Sequence, residues 1–287
     1  MSQPARLEGA AKEATLSNAE FRAIAAMLHA DAGIHLPATK ASLVYSRLAK
    51  RLRALNLESF HDYCQLVSSE AGRAERGEML SALTTNVTRF FRERHHFDHL
   101  ECELLPPLLA RARAGGKVRL WSAACSTGQE AYSIALCVLA VDPQAPRYDV
   151  KILATDIDPR VVAEARAGVY RAAALSDVPA DQRARRFVAQ GEGFSIDDDA
   201  RALISFRVLN LNGAWPMRGA FDAIFCRNVA IYFDDATQHK LWSRFARQLA
   251  PQGWLYIGHS ERVAGPAAQR LLPAGVTAYR LSGASQA

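Results

Sequence analysis

Asp156 closes a short apolar run, residues 150–155, and is followed at once by Ile157, Asp158 and Pro159. A carboxylate at the carboxyl end of a buried strand can accept hydrogen bonds from both hydroxyls of a ribose. Asp158 before Pro159 already suits a helix N-cap, which leaves Asp156 available to a ligand. Glu130 lies in the first turn of another helical pattern, where it can bind an ammonium group or merely stabilise the helix dipole; its position allows both. A further apolar run, 221–226, ends abruptly in Arg227-Asn228 and leads to Tyr232, so Asn228 and Tyr232 are expected to face the same cleft. Tyr232 could equally be a core aromatic whose hydroxyl has found a partner.

The run 118–122 passes directly into Ala123-Ala124-Cys125-Ser126-Thr127-Gly128, and a helical pattern starts at once. Small residues at the first strand-to-helix turn of an open α/β sheet let the backbone approach a ligand, although a tight turn without one has the same composition. Neither Gly-x-Gly-x-x-Gly nor a Walker lysine is present, which disfavours a pyrophosphate or triphosphate cradle and favours a cofactor without phosphates.

These residues need elements to carry them. Short apolar runs at 118–122, 150–155, 221–226 and 254–258 alternate with helical patterns at 129–140, 159–167 and 234–249, the signature of right-handed crossovers in a mostly parallel, doubly wound α/β sheet. Between 186 and 212 helix signals fade and glycines punctuate strand-like stretches, which predicts a small β insertion near 186–209. The first eighty or so residues read as helical. Ser17-Asn18-Ala19-Glu20 has the form of a capping box, and Val44, Leu48, Leu52 and Leu55 make an apolar stripe on a helix over 40–55. That helix also holds Lys40, Arg47, Lys50, Arg51 and Arg53, a docking face for an acidic partner or a solvated surface. Further helices are predicted over 60–67 and 78–83, with a polar break at 68–77.

At 287 residues the chain is long enough for two units, and 49% hydrophobic with 22% charged residues excludes global disorder. No apolar run approaches the roughly 18 residues that span a bilayer, and the first fifteen residues lack a signal peptide's apolar core, so a cytoplasmic location without membrane insertion is expected. Cys64, Cys102, Cys125, Cys137 and Cys226 lack metal spacing and read as buried reduced thiols. A net charge of +6 favours acidic partners. No base-flipping or RNA-binding signature accompanies it, so nucleic acid is not expected as the partner. His95, His96 and His99 invite a metal reading, since His95 and His99 are one helical turn apart, but no carboxylate or cysteine at recognisable spacing accompanies them, so no metal is expected and they read as ordinary helix surface.

Thr84-Thr85-Asn86-Val87-Thr88-Arg89-Phe90-Phe91-Arg92-Glu93, the 121–128 segment, Thr155-Asp156-Ile157-Asp158, the 226–234 segment and Gly258-His259-Ser260-Glu261 stand in an order that resembles the chemotaxis receptor glutamate methyltransferases, the CheR family. The resemblance covers nearly the whole chain. It implies a Rossmann-like doubly wound S-adenosylmethionine methyltransferase domain with a small β-subdomain insertion, preceded by an all-helical N-terminal domain.

The corresponding organisation is a disordered 1–15, a receptor-docking helical domain 16–83, a linker 84–105 that contacts the cofactor, a methyltransferase domain 106–281 and a loose tail 282–287. By resemblance, Asn86, Thr88 and Arg92 reach the cofactor, Glu130 and Asp156 take its amino group and ribose, and Asn210, Leu211, Asn228 and Val229 line the adenine. Arg92 and Tyr232 stand nearest the transferring methyl, as the catalytic pair. The implied substrate is a glutamate side chain on the cytoplasmic domain of a methyl-accepting chemoreceptor, with S-adenosylhomocysteine as the cofactor product. Gly128-Gln129-Glu130-Ala131-Tyr132-Ser133 departs from the family's Gly-Glu-Glu-Pro-Tyr-Ser but keeps the second acid. The short β insertion argues against a tether to the receptor's C-terminal peptide and shifts docking to the basic helix.

Overall fold

Ser17 and Glu20 close the capping box that their spacing predicts. The Glu20 N–H donates to Ser17 Oγ at 3.3 Å and the Ser17 N–H donates to Glu20 Oε2 at 2.7 Å, which starts α1 (Asn18–Ala32). The computed structural model describes residues 14–84 and 86–283. The expectations for 1–13 and 284–287 therefore lie outside the described residues. Contacts divide the chain into two compact units, one comprising Met1–His29 with Leu36–Thr84 and the other Ala30–His35 with Thr85–Ala287.

The first unit continues with α2 (Ala41–Ala54), α3 (Phe60–Ser68) and α4 (Arg73–Leu83). Val44, Leu48 and Leu52 are buried along α2 as the stripe predicts. α4 begins inside the stretch read as a polar break and runs through the exposed Gly77. An exposed glycine costs a helix about 1 kcal/mol, which does not end it. The basic face of α2 also needs correction. Arg51 chelates Glu75, with Nε to Oε1 at 3.0 Å, and Tyr63 donates its hydroxyl to the same carboxylate at 2.9 Å. Arg47 donates to the carbonyls of Leu83 and Thr84, both at 2.9 Å. Those two arginines tie α2 to α4, and the exposed cations of the original five are Lys40, Lys50 and Arg53.

In the second unit, α5 (His95–His99), a π-helical turn (Leu100–Leu104) and α6 (Leu105–Arg113) run on without a break. Pro106 and Pro107 do not interrupt the helical path, because they occupy the first turn of α6, where missing N–H groups cost little. Then follow β1 (Val118–Ala123), α7 (Gln129–Val141), β2 (Val150–Asp156), α8 (Pro159–Ala167), β3 (Val169–Tyr170), α9 (Ala180–Arg186), β4 (Phe187–Gln190), β5 (Gly193–Ile196), α10 (Asp198–Leu203), β6 (Ile204–Val208), β7 (Phe221–Cys226), α11 (Asp235–Gln248), β8 (Leu249–Ile257), β9 (Leu271–Gly275) and β10 (Ala278–Leu281).

The main sheet has the order β6-β2-β1-β7-β8-β10-β9, parallel from β6 to β8 and antiparallel at β10 and β9. Alternate residues of its central strands enter two apolar clusters: Leu120 and Phe225 join one, Trp121 and Ile224 the other. Both faces are thus buried, which is why these strands read as continuous apolar runs. The chain steps outward from β1 through β2 to β6 and then returns to β7 on the other side of β1. This reversal opens a crevice at the carboxyl ends of β1 and β7.

The β insertion lies earlier than expected. Its sheet is β3-β5-β4, spanning 169–196, whereas 198–203 is helical and 204–208 is the edge strand of the main sheet. The glycines that punctuate this stretch, Gly191 and Gly193, lie at the β4–β5 turn. Pairing of Ile204 with Ile152, remote in sequence, gives β6 to the other sheet. No helix among the described residues is long and apolar enough to cross a membrane. Cys125, Cys137 and Cys226 are buried as expected, but Cys102 is exposed and Cys64 half-buried.

Candidate active site

The turn after β1 carries the conformations that its small residues permit. Ala124, Ser126 and Gly128 have φ of 75°, 48° and 94°, which for Ala124 and Ser126 is a sparsely populated region that the surrounding structure must hold. Asp156, at the end of β2, clamps it: Oδ2 accepts from the Ser126 N–H at 2.8 Å and Oδ1 from the Asp158 N–H at 3.1 Å. Burial pushes the Asp156 carboxyl up, against the pull of those N–H donors. Asp158 caps α8 as its position before Pro159 predicts, accepting from the Arg160 N–H.

Glu130 is buried in the first turn of α7. Its Oε1 accepts from Ser122 Oγ at 2.7 Å and its Oε2 from Arg227 Nη1 at 3.1 Å. Burial raises this carboxyl, and the Arg227 charge opposes the rise. A carboxylate offers about four lone-pair sites, so both acids retain acceptors for a ligand beyond these contacts.

The segment before α5 is pinned by its aromatic pair. Phe90 packs edge-on against Tyr170 and Phe187, at centroid distances of 5.0 and 5.7 Å. Phe91, with φ of 49°, donates its N–H to Ser133 Oγ at 2.9 Å. This anchoring brings the Asn86 carbonyl within 2.9 Å of Ser126 Oγ, and the Asn86 amide within 3.4 Å of Asp158 Oδ2. Thr88 and Arg92 are half-buried on the same segment, with Arg92 Nη1 donating to the Val87 carbonyl at 3.2 Å. Arg227 also donates to the Arg92 carbonyl.

Asn228 leaves β7 with φ of 59°. It is held by Glu261, whose carboxylate accepts from the N–H groups of Asn228 (3.0 Å), Val229 (2.9 Å), Ala230 (2.7 Å) and Gly258 (2.6 Å). Tyr232 is half-buried in the turn that follows, and its carbonyl accepts from the His35 N–H at 2.7 Å. Asn210 and Leu211 follow β6 at the same sheet edge, where the Leu209 N–H donates to the Asp156 carbonyl at 2.8 Å. The Asn210 side chain is engaged by its own surroundings, donating to the Asp31 carbonyl at 2.5 Å and accepting from the Asn212 N–H at 2.9 Å.

Of the residues picked out from sequence, Asp156 ends β2, Glu130 lies in the first turn of α7, Asn210, Leu211, Asn228, Val229 and Tyr232 follow β6 or β7, and Asn86, Thr88 and Arg92 stand on the segment before α5. Ser122, Ser126, Arg227 and Glu261 were missed, although all four lie inside segments already singled out. The reading of the histidines as ordinary helix surface needs correction: His95 is exposed, but His96 is 1% exposed and half-buried His99 meets the Tyr256 hydroxyl with Nδ1 at 2.7 Å.

The donor set is two buried carboxylates with spare acceptors, served by no lysine. It suits a cofactor with a diol and a cationic group rather than a phosphate chain. Comparison with known families settles which. The profile described as "CheR methyltransferase, SAM binding domain" matches residues 86–277, and the one described as "CheR methyltransferase, all-alpha domain" matches 19–84. The chain belongs to the CheR methyltransferase family. A probable chemotaxis protein methyltransferase of Rhizobium etli is 57% identical over 258 residues, covering 88% of this chain and 96% of that protein. The chemotaxis protein methyltransferase of Salmonella typhimurium is 40% identical over 276 residues, covering 93% of this chain and 91% of its own length. The all-helical unit and the α/β unit of this chain are thus the two domains of a CheR methyltransferase, and its cofactor is S-adenosylmethionine. The site fits that cofactor: its ribose diol and amino group call for the acceptors that Asp156 and Glu130 present, and it has no phosphate to cradle.

Proposed function

We propose that this methyltransferase esterifies glutamate side chains on the cytoplasmic helices of methyl-accepting chemoreceptors, acting in the cytoplasm during chemotaxis adaptation. Likeness over most of the chain to proteins named chemotaxis protein methyltransferase is the observation that carries this reading. When bound, S-adenosylmethionine supplies a methyl group on a positively charged sulfur. Asp156 takes its ribose hydroxyls and Glu130 its ammonium group. Asn86, Thr88 and Arg92 close over it from one side, and Asn210, Leu211, Asn228 and Val229 line the adenine.

A glutamate side chain has a reference pKa of about 4.3, so the acceptor is already ionised at neutral pH and needs no general base. The chain has to supply alignment and exclusion of water instead. Arg92 and Tyr232 hold and orient the acceptor carboxylate. A tight Arg92 pair would stabilise the ground state as well, so its larger share is geometric. Incubation with radiolabelled cofactor and receptor cytoplasmic fragments tests the proposal. The label is expected on protein and is lost in mild base, as a carboxyl methyl ester is; a base-stable label, or none, overturns the reading.

Asp156→Ala is expected to weaken S-adenosylhomocysteine binding by roughly tenfold to a hundredfold, the worth of hydrogen bonds to a charged acceptor. Calorimetric titration reads it directly, and an unchanged dissociation constant would remove Asp156 from the ribose.

Receptor docking falls to the exposed cations of α2. Charge reversal at Lys50 and Arg53 is expected to slow receptor methylation at low salt while leaving cofactor affinity intact. The same change at Arg51 would instead break the contact with Glu75 and confuse stability with docking. Equal rates for wild type and the Lys50→Glu, Arg53→Glu double variant across a salt series would count against this face.

A further inference from the structure

The segment after Arg92 carries a cluster that methyl transfer does not use. Glu93, His95 and His96 each offer one ligand atom, and these atoms lie within 4.8 Å of one another. His96 is 1% exposed, and its Nε2 sits 3.2 Å from the Val276 carbonyl and 2.9 Å from Thr277 Oγ1. A carbonyl oxygen only accepts and a hydroxyl can do so, so both contacts are hydrogen bonds from the ring in the tautomer that carries its hydrogen on Nε2. The lone pair of Nδ1 is then turned towards Glu93 Oε2, 3.8 Å away. Both of these buried atoms lack a hydrogen-bond partner. Two acceptors facing each other without a proton between them repel unless something positive lies there.

Arg227 is a neighbouring cation, with Nη2 3.5 Å from Glu93 Oε2, but its Nη1 is engaged by Glu130 at 3.1 Å. One guanidinium is thus shared between two carboxylates, and its contact with Glu93 is the longer of the two. A tetrahedral ion with ligand bonds of about 2.0–2.1 Å spaces its donors by roughly 3.4 Å. The exposed His95 ring can close the remaining gap by a change of rotamer.

We propose that Glu93, His95 and His96 bind one divalent ion of the zinc class, with a further position open to water or to His259. His259 already stands beside the cluster, its Nδ1 3.1 Å from Glu93 Oε1. Two imidazoles and one carboxylate suit zinc or cobalt rather than magnesium or calcium, which take oxygen ligands. The bond from Nε2 to the Val276 carbonyl is the outer contact that metal-bound imidazoles usually make, fixing tautomer and ring orientation.

Titration of the full-length protein with Zn²⁺ and, separately, with Co²⁺ tests the site. One ion per chain is expected to bind, and the cobalt form is expected to show the strong visible absorption of four- or five-coordination. His95→Ala is expected to keep its melting temperature, lose that absorption and bind Zn²⁺ about tenfold or more weakly. The surface variant His61→Ala should bind as wild type does. Non-saturating Zn²⁺ binding, a six-coordinate cobalt spectrum, or equal affinity in His95→Ala and wild type would each overturn the proposal. Should His95→Ala fail to fold, the wild-type stoichiometry and cobalt spectrum decide alone.

Discussion

Glu261→Ala is expected to abolish methyl transfer and to lower unfolding stability by on the order of 3–5 kcal/mol, because a charged acceptor shared by several backbone donors is lost from a buried position. The carboxylate gathers the N–H groups of Asn228, Val229 and Ala230 with that of Gly258, so it shapes the loop that presents Asn228, Val229 and Tyr232. Without it the left-handed turn at Asn228 has no reason to persist. Close packing adds to the constraint, since a Cβ on Gly258 would stand 2.4 Å from Asn228 Nδ2. Glu261→Gln keeps one carbonyl acceptor and should recover part of both losses. Urea melts and S-adenosylhomocysteine titrations separate folding from binding. An alanine variant with wild-type cofactor affinity would show that the loop holds itself.

Arg227→Met should be comparably severe, costing about 3–5 kcal/mol, because removing one partner leaves buried charge unmatched. Arg227 is 7% exposed and joins Glu130 to Glu93, so its loss strands two carboxylates. Burial already raises Glu130, and removing the guanidinium raises it further, which favours the neutral form of the acid assigned to the cofactor's ammonium. Adding Glu93→Gln to Arg227→Met is expected to restore part of the stability, a coupling that a double-mutant cycle measures. Strict additivity of the two substitutions would mean that Arg227 does not stabilise through Glu93, leaving its pair with Glu130 at 3.1 Å and its packing over the Phe97 ring at 5.5 Å.

These two residues show where reading from sequence stopped. Asp156 and Glu130 were legible because each follows a local landmark: the end of an apolar run and the first turn of a helix. Glu261 also follows a strand, yet its role depends on β8 pairing with β7, which brings it to a loop some thirty residues earlier. Arg227 was visible within Cys-Arg-Asn, but nothing local says that its partners are Glu130 and Glu93. On α2 the spacing of Arg47 and Arg51 gave no sign that Glu75 and the end of α4 consume both.

The same division runs through the fold. Residue order alone determined the helical first unit, the central strands β1, β2 and β7, the turn after β1 and the cofactor class, because backbone propensity, hydrophobic period and capping act over a few residues. The reach of the β insertion was decided only in three dimensions. β3 is two residues long, too short for any period, and β6 reads as part of the insertion until its backbone pairs with β2. Tertiary structure alone also decided which buried charges meet. Desolvated groups must find partners wherever packing places them, and that placement depends on strand order and not on neighbours in the chain.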